Sequence, residues 1–158
     1  VSSRKHAPCR PEQILETQLA QIDRLRAEGF VLFPELSVHT LEKIVIVGGY
    51  VRCEGGLYLQ VHQHIVPVAR TAHSELAVVG EYSYKGVLQG RGTIFRYDSP
   101  HADHNREHHV HEYDVLAGDK SGTVRFLYSD DEIPTLPEAL RLLQRWYFEH
   151  QPLDQHRG

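Results

Sequence analysis

Several common features of a classifiable chain are missing from this sequence. No apolar run approaches the length of a bilayer span, and the N-terminal VSSRKHAPCR carries no hydrophobic signal-peptide segment. A cytoplasmic protein with no membrane contact is the expectation. Methionine is absent, so the numbering is expected to begin after a removed initiator or a trimmed tag. Only two cysteines occur, Cys9 and Cys53, too few for a disulfide framework and without zinc-ligand spacing. Both are read as reduced packing residues. A basic surplus is missing too: the net charge is −4 with histidine neutral, the wrong sign for a protein that simply coats nucleic acid. G-x-S-x-G, G-x-x-x-x-G-K-[ST] and G-x-G-x-x-G do not occur, which leaves a nucleophile elbow, a P-loop and a dinucleotide site unsupported. Gly90-x-Gly92 has the spacing of a hairpin turn instead.

What is present reads as one domain, 1–158, with a polar arm over 1–10, a core over 11–150 and a tail over 151–158. Pro11 to Glu28 has helical periodicity, with Leu15, Leu19, Ile22 and Leu25 on one face and Gly29 suited to ending it. Leu41–Cys53 and Leu57–Val66 read as strands joined at Glu54-Gly55-Gly56, and 67–75 as a loop. Leu76–Leu88, the turn Gln89–Gly92 and Thr93–Asp98 form a second hairpin. A strand over about Val110–Leu116 follows, then the turn Ala117–Gly122 and a strand over Thr123–Tyr128. Thr135-x-x-Glu138 is a capping box ahead of a helix from Leu136 to about His150, with Leu136, Leu140, Leu143 and Tyr147 inward. The pattern predicts an α+β fold: a curved antiparallel meander of about six strands, flanked by an N-terminal and a C-terminal helix.

The chemistry concentrates between Phe95 and Asp114. Five of the twelve histidines fall there: His101, His104, His108, His109 and His111. Period two on the strand puts His109, His111, Tyr113 and Val115 on one face, and His108, Val110, Glu112 and Asp114 on the other. On the preceding strand Arg96 and Asp98 share a face, opposite Phe95 and Tyr97. Three readings of the cluster stand open. In one, His101, His109 and His111, with Arg96 and Tyr97, carry out acid–base cleavage of an RNA phosphodiester, and Arg91, Arg106 and Tyr113 hold the substrate. That chemistry requires no cofactor, and histidine suits it because its pKa lies near the working pH. In the second, His109, His111 and Asp98 bind a divalent metal such as zinc. In the third, the histidines cap, hydrogen-bond or face water. His62 and His64, on the polar face of a strand, are read as solvated.

The run EYSYKG (Glu81–Gly86), then GTIFRYDSPH (Gly92–His101) and HHVH (His108–His111), resembles the TumE-like toxins of bacterial toxin–antitoxin loci. That family's pattern has R-Y-D-N-x-P-H, matched here by Arg96, Tyr97, Asp98, Pro100 and His101, with Ser99 in place of asparagine. His108, His109 and His111 match its H-H-x-H. The resemblance spans about Leu41 to Leu143 and leaves the N-terminal helix outside. It implies an antitoxin protein as partner and RNA as target. A second copy of the chain is the remaining candidate partner, and a non-catalytic binding module is the alternative to an enzyme.

Overall fold

The computed structural model describes residues 4–101 and 107–151, the side chain of Arg4 excepted. Its centre is an open seven-stranded sheet: β1 (Val31–Leu41), β2 (Ile44–Cys53), β3 (Leu57–Arg70), β4 (Glu75–Leu88), β5 (Gly92–Asp98), β6 (His108–Glu112) and β7 (Thr123–Leu127). Every neighbour in the sheet is the neighbour in sequence, and every pair is antiparallel. Helices α1 (Pro11–Ala27) and α2 (Leu136–Glu149) flank it, as the sequence predicts. No helix among the described residues is long and apolar enough to cross a membrane.

The strand additional to the expected six is β1. Its sequence, VLFPELSVHTL, is largely exposed and contains Pro34, so it lacks the alternation that marks a half-buried strand. An edge position explains both features, because an edge strand pairs on one side only and tolerates a residue without an N–H. The stretch 67–75, expected to be a loop, mostly continues β3 and β4, whose ladder runs out to Arg70 opposite Glu75. Register shifts between Gln63/Ile65 and Pro67/Ala69 carry the pairing past Pro67. The strand expected to reach Leu116 ends at Glu112, and Val115–Ala117 turns as a short 3-10 helix under the Asp114 cap. Residues 4–10, expected to be a loose arm, are docked. Cys9 and Ala77 exchange both backbone hydrogen bonds, at 3.1 and 2.7 Å.

Both helices lie on one face of the sheet. Ile22 and Leu25 from α1, and Leu136, Leu140 and Leu143 from α2, form one core with Val51, Leu59, Val61, Tyr84, Phe95, Tyr97 and Val110. In α1 the buried line is Gln18, Ile22 and Leu25, while Leu19 is exposed. Gln18 takes the core position because its amide exchanges hydrogen bonds with Gln63, which also accepts from the Tyr84 hydroxyl at 2.8 Å. In α2 the capping box is formed in both directions between Thr135 and Glu138. Gly86 lets α2 approach, since a Cβ there would lie 2.9 Å from the Phe95 ring and 3.1 Å from Leu143. The opposite face of the sheet has no helix over it among the described residues.

Burial alone raises the Cys53 thiol to about 12, whereas Cys9 is only partly buried. Iodoacetamide at neutral pH should therefore label Cys9 first, with Cys53 modified only as the chain unfolds in denaturant. Comparable labelling of the two in the native protein, read by mass spectrometry, would contradict this packing. Thr135→Ala should cost about 1 kcal/mol in urea unfolding through the lost cap.

Candidate functional site

The pairing of β5 with β6 sets the site. Arg96 lies opposite His111 and Asp98 opposite His109. In an antiparallel ladder directly paired residues project to the same side, so all four groups share the helix-free face. The loop leaving β5 is tied down immediately by Ser99, whose hydroxyl accepts from the Tyr82 amide at 3.0 Å while its own amide donates to the Tyr82 carbonyl at 3.1 Å. That turn brings His101 back over the sheet, with its ring centroid 5.3 Å from that of His109. His111 approaches His109 from the other side, at 5.0 Å.

Asp98 is the hub. One carboxylate oxygen accepts from the Ser83 hydroxyl at 2.8 Å, and the other from Arg96 Nε at 2.7 Å. The second oxygen also lies 3.6 Å from His109 Nε2 and 3.8 Å from His111 Nε2. Asp98 is 4% exposed and His109 is fully buried. His109 Nδ1 sits 2.9 Å from the Glu107 carbonyl, which can only accept, so Nδ1 carries the proton. Its Nε2 then points at the carboxylate, and among the described residues that nitrogen has no hydrogen-bond partner. In the neutral ring Nε2 is an acceptor facing the carboxylate, and either a proton on Nε2 or a cation between the two would supply the positive centre that joins them. Donor atoms of Asp98, His101 and His109 all lie within 4.8 Å of one another, so the group could hold a metal ion. Tetrahedral zinc with bonds near 2.0–2.1 Å wants its donors about 3.3 Å apart, which small side-chain rotations would provide. The expected metal set of His109, His111 and Asp98 thus becomes Asp98, His101 and His109, with His111 beside it. His111 is less buried, and its pKa is lowered first by burial and then by the nearby Arg96 guanidinium.

A cleft of about 470 Å³ opens at this group, lined by His62, Ser83, Asp98, Ser99 and His101 among others. His62 is exposed, as expected, and lines the rim of this cleft with its ring edge-on to that of His64 at 4.8 Å. Ser83 was not an expected site residue. Its signal lies in the alternation Tyr82-Ser83-Tyr84, where two core tyrosines oblige the serine between them to face the other way. A larger cavity, about 660 Å³, lies on the helix side between the N-terminal segment, α1 and α2. There the Tyr82 hydroxyl meets His108 Nδ1 at 2.8 Å, and burial followed by the His6 charge lowers the His108 pKa. Titratable groups cluster at the smaller cleft, which makes it the candidate site.

Other expected site residues fall elsewhere. Tyr97 is on the helix side, 8% exposed and packed edge-on to Phe95 at 5.5 Å, so strand alternation turns it away from Asp98. Arg91 is in the β4–β5 turn, at the far end of β5 from Asp98 and about 20 Å away along the strand. Tyr113 lies past the end of β6, its ring against Gly122. His104 and Arg106 lie outside the described residues.

In metal-free protein, histidine nitrogen NMR should show His109 protonated at Nδ1, the minor tautomer of free imidazole. A neutral ring protonated at Nε2 would break the geometry above. No protein-family model, curated protein or solved structure matches this chain.

Proposed function

We propose that this chain is a toxin-like ribonuclease whose reaction centre is a divalent-metal site held by Asp98, His101 and His109. One observation carries the reading: the fully buried His109 ring, fixed at Nδ1 by the Glu107 carbonyl, turns toward the Asp98 carboxylate an Nε2 that has no hydrogen-bond partner among the described residues. Two imidazoles and one carboxylate with an open fourth position form the donor set of a catalytic rather than a structural zinc site. Burial also decides among the histidines. His109 cannot touch a substrate, so a direct acid or base role passes to the partly exposed His111.

In this mechanism His111 Nε2 takes the proton from a ribose 2′-hydroxyl. The 2′-oxygen forms a bond to phosphorus as the bond to the 5′-oxygen breaks, and that oxygen takes a proton from water. Arg96, 38% exposed at its side chain, stands where it would offset charge on the phosphorane. A cation held by Asp98, His101 and His109 would supply Lewis-acid stabilisation of phosphate charge. RNA as substrate, and an antitoxin as partner, rest on the resemblance of Arg96–His101 and His108–His111 to the TumE-like toxins. A cation in the site also answers the objection from the −4 net charge, because it supplies a local attraction for phosphate.

Purified protein should bind about one zinc per chain by calorimetry and elemental analysis. His109→Ala should abolish binding, and Ser83→Ala should weaken it about 10- to 100-fold by freeing the carboxylate from its support. Expression of the wild type in bacteria should slow growth and fragment RNA. His109→Ala and His111→Ala should each relieve this, with cleavage in vitro falling by about 10²–10⁴. Stoichiometric zinc together with intact RNA and normal growth would remove the nuclease reading and leave a metal-binding module.

A further inference from the structure

We propose that the helix-free face of the sheet beside the metal group is a binding platform for single-stranded RNA. Tyr50 and Tyr58 are the base-stacking groups, and Arg52, Lys85 and Arg96 the phosphate contacts. The inference names the substrate surface of the reading above and rests on it for the identity of the strand. The registers place Tyr50, Gln60, Lys85, Arg96 and His111 in one continuous row across β2 to β6. Arg52 and Tyr58 are paired one row over, on the same side. At about 4.8 Å per strand, the row runs roughly 19 Å from Tyr50 to His111 and ends at the metal group.

Tyr50 is 41% exposed, large for an aromatic in the middle of a paired strand, and its ring meets that of Tyr58 edge-on at 5.7 Å. Packing does not account for it, since both helices are on the other side. Charge selects the occupant. In this half of the face Arg52 pairs with Glu35 at 3.1 Å and Arg96 with the buried Asp98 at 2.7 Å, Lys85 stands between them, and Glu81 is exposed farther along β4 beside His64. The exposed Tyr50 and half-buried Tyr58, interleaved with cations, match a strand whose bases are free to stack and whose backbone is anionic. A duplex, with its bases already stacked on one another, offers this face only phosphates.

The test measures binding by fluorescence anisotropy, using a labelled 2′-O-methyl oligoribonucleotide in chelator so that no strand is cut. Tyr50→Ala and Tyr58→Ala should each weaken binding about tenfold or more, while Tyr50→Phe, which keeps the ring, should bind like wild type. Lys85→Ala should flatten the salt dependence by about one phosphate contact. The same sequence as a duplex should bind distinctly more weakly. The platform is overturned if wild type does not bind, if the tyrosine-to-alanine variants bind unchanged while melting like wild type, or if duplex binds equally well. It is also overturned if Tyr50→Ala acts by changing the mass of the free protein in light scattering, which would make the face a contact between copies. Because binding is read without cleavage, a chain that binds through Tyr50 yet cuts nothing sinks the nuclease reading alone. A chain that cuts RNA without needing Tyr50 sinks the platform alone.

Discussion

The candidate site depends on the pairing of Asp98 with His109 across β5 and β6. Strand side chains alternate, so a slip of one residue in that ladder would exchange His109 and His111 for His108 and Val110. The register is held by apolar burial on the reverse side, where Tyr97 and Val110 are a directly paired couple within the core. The cluster and the core are thus two readouts of one alignment. The core fixes the register, and the register brings the carboxylate to the imidazole.

The same alternation explains how much of the site could be read from sequence. Arg96, Asp98, His109 and His111 were assignable to one face by counting in twos, and the structure brings them together around one carboxylate. The same rule puts Tyr97 on the other face, so alternation alone argues against its place in the expected catalytic set. The short loop after β5 predicts that His101 returns over the strand ends, and it does; what leaves no local pattern is the grip of Ser99 on Tyr82, which joins residues seventeen apart. Burial of His109 was equally illegible, since nothing in HHVH distinguishes the histidine that is sealed from those that are not.

For the fold, the readable parts were those whose stability is local. The capping box of α2 and the apolar line through Leu136, Leu140 and Leu143 were visible because their determinants lie within a few turns of one helix. β1 was invisible for the opposite reason: its strand character comes from the pairing with β2 rather than from its own side chains. Gln18 carries no local signal of burial, because its partner, Gln63, lies forty-five residues on. Leu19, the stronger apolar residue, was displaced outward by a polar pair that satisfies itself.

The unbroken meander also carries a kinetic meaning. Each strand pairs with the one made just before it, so the sheet can grow by successive short closures with little chain entropy lost at any step. The exception is α2, which packs onto β3 and β4 and joins back to the beginning of the chain through Arg141–Glu28 and Lys5–Glu138. During synthesis, the strands bearing Asp98 and His109 are complete before this last helix is made. The strands that carry the candidate site are thus in place before α2 seals the core behind them.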